Sequence, residues 1–349
     1  MRDSFDIAGR QVGAGAPCYI VAEAGANHDR DFYRAKQLID VAAEAGCDAV
    51  KFQTYTGSDL YSKFTPPFEY LKDISTEPPA QLLDRIALPQ EWQPRLKDYA
   101  DFVGITWFSS PFDFDAVDAL ETVGVPCYKI ASFEILDLDL VRKCASTGKP
   151  LIISTGMATL GEIEDALGVC ESEGNDRVAL LHCVSSYPAS PHSANLRAME
   201  TIRRAFGVPT GFSDHTLGIV IPIAAAALGA DIIEKHFTVS RNLKGPDHPF
   251  ALEPNELKAM VEGVRAAEAA LGDGRKRGPT AEESGEMYTM ARRSIVAKSD
   301  IPAGTVITRE MLTSKRPGYG IKPKYIRWIV GRVAKRDIKE DEVITEEMI

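Results

Sequence analysis

The sequence predicts a parallel (β/α)8 barrel, the TIM-barrel fold, followed by a small β-rich unit. From residue 19 to about residue 272, short apolar runs alternate with longer amphipathic stretches. Runs that are apolar on both faces are typical of parallel strands covered by helices, and eight repeats of strand and helix favour a closed barrel. The chain has 349 residues, which is enough for a barrel of about 250 residues and a smaller unit.

The predicted strands are short and apolar along most of their length. They are Tyr19–Gly25, Ala49–Tyr55, Gly104–Phe112, Tyr128–Glu134, Pro150–Met157, Ala179–Ser185, Thr210–Thr216 and Asp231–Thr238. Helices such as Tyr33–Ala45 and Leu160–Gly174 are predicted between them. A doubly wound open sheet is the alternative fold, but no glycine-rich phosphate loop opens an early helix. The glycine-rich segment Gly9–Gly15 precedes the first strand and is predicted to be a lead-in turn.

Two segments depart from this alternation. Residues 61–88 hold four prolines with several aromatic and charged residues and follow the second predicted strand, so we expect a long loop over the catalytic face. The composition shifts to Gly, Arg, Lys and Pro around Gly272–Thr280, which predicts a linker. The predicted organisation is a barrel domain over 1–272, a linker over 273–291 and a small β-rich domain over 292–349, with short strands at Ser294–Ala297 and Ile338–Lys339.

Charge and cysteine usage limit the kinds of partner and compartment. The formal net charge of −10 argues against nucleic acid or an anionic membrane as a partner. The six cysteines lack paired spacing and several stand in apolar runs, so we expect buried, reduced thiols. No apolar run reaches about 18 residues, and the first residues do not resemble a signal peptide. We therefore expect a cytoplasmic protein.

Polar side chains able to do chemistry stand at the ends of the predicted strands. They are Glu23 and Asn27, Lys51 and Gln53, Ser109 and Ser110, Lys129, Ser132 and Glu134, Ser154 and Thr155, His182 and Ser185, Ser213 to His215, and Glu234 to His236. A buried Lys or Glu without a partner is costly, and catalytic residues of such barrels gather at the carboxyl ends of the strands. A single one could be a structural ion pair, but eight strands ending this way predict an active site. His182 is the exception, because its strand setting is apolar and favours a core histidine.

Two lysines are candidates to hold an anion. Lys51 and Lys129 stand within apolar runs, and short hydroxyl donors accompany them at Ser110, Ser132, Ser154 and Ser213. Point charges with short hydroxyl donors suit a phosphate or a carboxylate. A Schiff-base role for Lys129 is the alternative, but the presence of two lysines favours anion binding.

Two histidines are candidate metal ligands. His215 and His236 are predicted to end adjacent strands, which lie about 4.8 Å apart and allow two imidazoles to share one ion. The alternative is that both are core histidines with satisfied hydrogen bonds. Asp247 follows the last predicted strand and is either part of a turn or an acceptor for sugar hydroxyls.

Together these motifs resemble the sialic acid synthase family. The matching segments are Ala22–His28, Lys51–Gln53, Ser109–Phe112, Lys129–Ser132, Ser154–Met157, Ser213–Thr216, Glu234–Phe237, Gly245–Asp247 and Lys315–Gly318. The tail from Arg293 resembles the family's antifreeze-like (SAF) domain. The resemblance implies condensation of phosphoenolpyruvate with an open-chain N-acetylated aminohexose, either N-acetylmannosamine or a diacetamido-hexose. The products would be a nine-carbon 2-keto sugar acid and phosphate.

The resemblance also implies roles for individual residues. Phosphoenolpyruvate would be held by Lys51, Ser110, Lys129, Ser132, Ser154 and Ser213, and the sugar would face Gln53, Tyr187, Asp247 and, from the partner subunit, Arg316. Glu23 would be the acid/base, with Glu134 and Glu234 nearby. His215 and His236 would bind a divalent metal, manganese or alternatively magnesium or cobalt. The implied assembly is a domain-swapped homodimer in which the tail of one subunit covers the barrel mouth of the other.

The motifs that bear on the acceptor are divided between branches of the family. Phe133 and Tyr319 resemble the pseudaminic acid branch, whereas Gly245–His248 and Asn195–Met199 resemble the sialic and legionaminic branches. Spore-coat polysaccharide homologues share the same framework. A phosphorylated acceptor is an alternative, but residues 61–88 add no basic cluster for it. A non-catalytic carbohydrate-binding protein is the other alternative, and the intact polar strand ends argue against it.

Overall fold

The computed structural model describes residues 1–67 and 77–349 of the chain. These residues form two compact units, Met1–Gly272 and Asp273–Ile349, each with its own hydrophobic core. In the described part of the chain, no helix is both long enough and apolar enough to cross a membrane.

The first unit opens with a β-hairpin. Strand β1 (Ser4–Ile7) pairs antiparallel with β2 (Arg10–Gly13). Ala8 and Gly9 form the turn at φ values of 50° and 85°, the left-handed conformation that two-residue hairpin loops require. The prediction of a turn over Gly9–Gly15 was therefore wrong in part, because Arg10–Gly13 is a strand.

Eight parallel strands then close into a barrel, which confirms the predicted fold. They are β3 (Tyr19–Glu23), β4 (Ala49–Thr54), β5 (Thr106–Pro111), β6 (Tyr128–Ile130), β7 (Leu151–Ser154), β8 (Val178–Cys183), β9 (Thr210–Asp214) and β10 (Ile232–His236). Each pairs with its neighbour along the chain, and β10 pairs with β3 to complete the ring. All eight end before their predicted last residue, because the final polar residues turn out of the ladder into the loops of the catalytic face.

Helices follow the strands and cover the barrel. They are α1 (Phe32–Ala45), α2 (Gly57–Leu60), α3 (Pro79–Ile86), α4 (Gln93–Val103), α5 (Phe114–Val123), α6 (Leu138–Ser146), α7 (Leu160–Ser172), α8 (Ala198–Phe206), α9 (Val220–Ala227) and α10 (Pro254–Leu271). Helix α3 falls in the segment 61–88, so the prediction of a continuous loop there was wrong over Pro79–Ile86. A proline in the first turn is compatible with this helix because its missing N–H would be unpaired there anyway. Residues 68–76 of that segment lie outside the described residues.

The second unit is small and β-rich, as predicted. Its elements are α11 (Glu286–Ala291), β11 (Ser294–Ala297), β12 (Leu312–Lys315) and α12 (Ile326–Ile329). Strand β11 matches its prediction and pairs antiparallel with β12, which the sequence did not reveal. The predicted strand at Ile338–Lys339 was wrong, because Ile338 makes only an isolated bridge to Ile301. Helix α11 lies within the predicted linker.

Candidate active site

The register of the barrel brings the predicted charged residues to one end. His236, Glu23 and Lys51 are successive Cα partners across β10, β3 and β4. Glu234 is likewise the partner of Ser213 across β10 and β9. Because carboxyl ends of parallel strands meet at one face of a barrel, residues far apart in the chain become neighbours there.

Lys51 is the centre of a buried ionic cluster. Its Nζ lies 2.8 Å from Glu23 Oε2 and 3.7 Å from Glu234 Oε1, and it donates to Ser110 Oγ at 3.1 Å. The lysine is only 3% exposed. Burial alone would lower the pKa of Lys51, but the two carboxylates outweigh it and raise the pKa above its usual value. The ammonium group therefore keeps its charge.

Lys129 is a buried cation without an ion pair among the described residues. Its Nζ donates to Ser154 Oγ at 2.6 Å and to the Ile130 carbonyl at 2.8 Å, and the residue is 1% exposed. Burial lowers the pKa of Lys129, while Glu234 opposes this shift. A buried charge is expensive unless it is paired, so this position suits an anionic ligand.

The three glutamates differ in how readily they hold a proton. Burial and the nearby Glu234 raise the pKa of Glu23 against the effect of Lys51, and Gln53 donates to Glu23 Oε1 at 2.7 Å. Burial raises the pKa of Glu134 to about 7. For Glu234, burial is outweighed by Lys129 and Lys51, which lower its pKa. Separated carboxyl pKa values of this kind allow acid and base roles in one site.

Several buried polar atoms around this cluster have no hydrogen-bond partner in the described structure. They are Glu134 Oε2, Ser185 Oγ, Glu234 Oε2 and His236 Nδ1. Buried polar atoms are normally paired, so a group of unpaired ones at a strand-end face indicates a place for substrate, water or an ion. Ser185 was noted in the sequence only as a strand-end residue without an assigned role.

The loop after β7 brings backbone close to two of the serines. The amide of Gly156 donates to Ser132 Oγ at 3.0 Å. A Cβ at residue 156 would lie 2.3 Å from Ser185 Oγ and 2.7 Å from Ser132 Oγ, so any other residue would displace both hydroxyl groups. The sequence prediction gave Gly156 no role, although its place directly after Ser154-Thr155 was the signal that could have found it.

His215 and His236 lie together, with ring centroids 5.4 Å apart. The Nδ1 of His215 donates to the Val184 carbonyl at 2.9 Å, which leaves its Nε2 as the ligand nitrogen. Burial, with His215 nearby, lowers the pKa of His236 well below its usual value. Its imidazole is therefore neutral, the form that binds metal. Within residues 1–67 and 77–349 no group of three or more His, Cys, Asp or Glu residues is arranged to hold a metal. A divalent ion held by these two imidazoles would therefore need its other ligands from substrate or water.

The residues expected to face the sugar lie in two places. Tyr187 packs against the histidines, with its ring tilted by 44° and its centroid 4.2 Å from that of His215, and it is 38% exposed. Asp247 Oδ2 lies 3.9 Å from His236 Nδ1. Arg316 belongs to the second unit, where it follows β12 and is exposed.

Comparison with known families identifies both units. The sequence profile of the NeuB family matches residues 38–276, and that of the SAF domain matches residues 292–349. The N,N'-diacetyllegionaminic acid synthase of Campylobacter jejuni is 41% identical over 331 residues, covering 94% of this chain and 98% of that protein. The pseudaminic acid synthase of Helicobacter pylori is 39% identical over 336 residues, covering 95% and 98%.

A solved structure agrees with these matches. The crystal structure of the N-acetylneuraminic acid (sialic acid) synthetase of Leptospira borgpetersenii serovar Hardjo-bovis has a TM-score of 0.73 and 35% sequence identity, covering 81% of this chain and 95% of that one. The resemblance that the motifs predicted is confirmed: the chain is an enzyme of the NeuB family with a SAF domain at its carboxyl end.

Proposed function

We propose that this enzyme condenses phosphoenolpyruvate with an open-chain, unphosphorylated N-acetylated aminohexose to give a nine-carbon 2-keto sugar acid and phosphate. The observation that carries the proposal is the buried Lys129 ammonium, which contacts Ser154 and forms no ion pair in the described structure. With Lys51 it supplies two cations beside several hydroxyl donors. This arrangement suits the phosphate and carboxylate of phosphoenolpyruvate.

In this reaction the enol carbon of phosphoenolpyruvate forms a bond to the aldehyde carbon of the sugar. Water then adds to C2 of the former phosphoenolpyruvate. The bond from C2 to the phosphate oxygen breaks, and the C2 hydroxyl becomes the keto group by giving its proton to the departing phosphate. Glu23, whose pKa is raised by burial, can hold a proton near neutral pH and donate it to the aldehyde oxygen. Glu134, with a pKa of about 7, is suited to accept the proton of the attacking water.

The histidine pair supports a metal-dependent version of this chemistry. When bound by His215 and His236, a divalent ion, which we expect to be manganese with magnesium or cobalt as alternatives, would supply Lewis-acid polarisation of the acceptor's carbonyl oxygen. The chain itself orients that end of the sugar: Tyr187 covers the histidines, Gln53 is held against Glu23, and Asp247 lies beside His236.

The acceptor belongs to the group of N-acetylmannosamine and the diacetamido-hexoses. Support comes from the similarity to relatives named as legionaminic, pseudaminic and N-acetylneuraminic acid synthases. The test is phosphate release from phosphoenolpyruvate with manganese and a panel of N-acetylmannosamine, its 6-phosphate and the two diacetamido-hexoses. We expect turnover with one unphosphorylated sugar. Turnover only with the 6-phosphate would contradict the proposal.

The proposed assembly is a domain-swapped homodimer in which Arg316 of one subunit reaches the sugar of the other. In its favour, Arg316 is exposed and forms no hydrogen bond or ion pair within the described residues of this chain. All six cysteines are free, and five of them are buried, which suits a reducing compartment such as the cytoplasm.

A further inference from the structure

His248 is fully buried and uses both ring nitrogens. Its Nε2 lies 3.0 Å from Asp29 Oδ1, and its Nδ1 lies 2.7 Å from Thr238 Oγ1, with no exposed surface on the residue. Because the Asp29 carboxylate can only accept, Nε2 carries the hydrogen. Asp29 also forms an ion pair with Arg34 of α1. None of these residues belongs to the site described above.

This hydrogen-bonded chain joins two loops of the catalytic face that are distant in sequence. One loop follows β3, the first barrel strand, and the other follows β10, the last. Asp29 and Arg30 adopt left-handed φ values of 47° and 54°, which non-glycine residues rarely do without support from their surroundings. A second bond between the loops runs from Asn27 Nδ2 to the Phe237 carbonyl at 2.8 Å.

The junction is packed so closely that a side chain at either of two glycines would displace its neighbours. A Cβ at Gly245 would lie 2.9 Å from the His248 ring and 3.2 Å from Asp29 Oδ1. A Cβ at Gly25, where φ is +51°, would lie 2.7 Å from Asp247 Oδ2. The loops therefore pack directly against each other, with Gly25 beside Asp247 and Asp29 beside His248 and Gly245.

The carboxylate of Asp247, the neighbour of His248, makes only weak direct contacts with the described residues. Its Oδ2 accepts one long hydrogen bond, 3.5 Å from the Ala26 amide nitrogen. His236 Nδ1 lies 3.9 Å from the same oxygen, and that imidazole is neutral. A carboxylate with such weak direct contacts keeps its place through its backbone, and that backbone is anchored by the next residue, His248.

We infer that Asp29 and His248 form a clasp that positions Asp247 against the acceptor sugar, so that the pair acts on acceptor recognition without touching the substrate. The inference rests on the proposed function, in which Asp247 faces the sugar. Positioning of a substrate-binding group to a fraction of an ångström is what such supporting contacts provide.

The test compares His248→Gln and Asp29→Asn with the control His182→Gln. His182 is also a partly buried histidine with a hydrogen bond, 2.9 Å from Nε2 to the Ala194 carbonyl, but it contacts neither loop of the clasp. We expect each clasp variant to raise the acceptor KM about tenfold or more while the phosphoenolpyruvate KM stays within about twofold. The control should leave both constants near the wild-type values. Equal changes in both KM values would show a merely structural role and overturn the inference.

A double-mutant cycle separates action through Asp247 from a parallel effect. If His248 acts through Asp247, His248→Gln should add little to the acceptor KM in an Asp247→Asn background, whereas independent effects would multiply. Multiplying effects would overturn the inference.

Amide hydrogen exchange over residues 240–250 tests the clasp without turnover. Protection should fall in His248→Gln and remain in His182→Gln, and unchanged protection in the clasp variant would also overturn the inference. A wild-type enzyme that is inactive with every acceptor would contradict the proposed function alone, since the exchange measurement still decides whether the clasp holds the loop.

Discussion

Lys235 Nζ lies 2.6 Å from Asp214 Oδ2, and both side chains are almost completely buried. The same ammonium donates to the Thr216 carbonyl, and Asp214 Oδ1 accepts from the Thr216 amide at 2.9 Å. The pair therefore holds the backbone at Thr216, the residue that follows His215. Asp214 and Lys235 alternate along the chain with the site residues Ser213, His215, Glu234 and His236, in keeping with the two-residue period of a strand.

This relationship predicts asymmetric effects on stability. Lys235→Met should lower the free energy of unfolding by about 3–5 kcal/mol, because it leaves the Asp214 charge buried and uncompensated. The double variant Asp214→Leu/Lys235→Met should recover most of that loss, since apolar replacements of a buried pair are often neutral. Urea unfolding of the three proteins measures both effects. A double variant as unstable as the single one would contradict this account.

Lys129→Met should separate stability from activity. Removing a buried cation that lacks an ion pair in the described structure should leave the free energy of unfolding unchanged or raise it by about 1 kcal/mol. The phosphoenolpyruvate KM should rise strongly, because an anion ligand is lost. Lys143→Met, at a partly exposed lysine that pairs with Asp118, is the surface control and should change neither quantity much. Unaltered phosphoenolpyruvate binding by Lys129→Met would remove the basis for the proposed anion site.

The raised pKa of Glu134 predicts a pH-dependent penalty on the folded state. Its pKa is about 7 in the folded chain against a reference value of 4.5. Below pH 4.5 both states hold the proton, but between these values the unfolded state releases it first, so folding becomes less favourable as pH rises. Glu134→Gln removes the penalty. Its stability relative to wild type should therefore increase by up to about 3 kcal/mol between pH 4.5 and 7 and then level off.

Urea unfolding of both proteins across this pH range measures that difference. The opposite slope, with the variant losing stability relative to wild type as pH rises, would show that Glu134 is ionised and paired in the folded protein.

The histidine pair predicts metal affinity. His215→Ala and His236→Ala should each weaken manganese binding and lower kcat/KM about a hundredfold or more. Titration calorimetry on the protein without substrates measures the manganese affinity. His182→Gln should retain wild-type affinity. Chelation should inactivate the wild-type enzyme, and added manganese should restore it. Full manganese affinity in either alanine variant would exclude that histidine as a ligand.

The proposed role of Arg316 predicts that each active site contains residues from both subunits of a dimer. Arg316→Ala should raise the acceptor KM and leave the phosphoenolpyruvate KM nearly unchanged. If the arginine acts in the partner's site, mixing Arg316→Ala with Lys129→Met and allowing subunits to exchange should restore more activity than the mean of the two parents. The mixed dimer would then contain one site with both native residues. Absence of any gain after exchange would place Arg316 in its own subunit's site or outside the site.

The local sequence pattern was enough to predict the barrel and the end of it that carries the chemistry. A parallel strand under helices must be apolar on both faces, and a polar residue at its end is costly unless it has a use, so Lys51, Lys129 and His236 stood out without any structure. The prediction failed where local pattern is weak. Helix α3 lies in a proline-rich stretch, and β12 is a strand of only four residues.

The tertiary structure alone decided which charges meet and what protonation follows. Lys51 is paired with Glu23 and Glu234, whereas Lys129, with the same surrounding pattern in sequence, forms no ion pair among the described residues. Asp29 and His248 are separated by 219 positions in the chain and meet only because the first and last strands close the ring. Strand register and burial set these distances and pKa shifts, and both arise from the whole fold, so no stretch of sequence contains them.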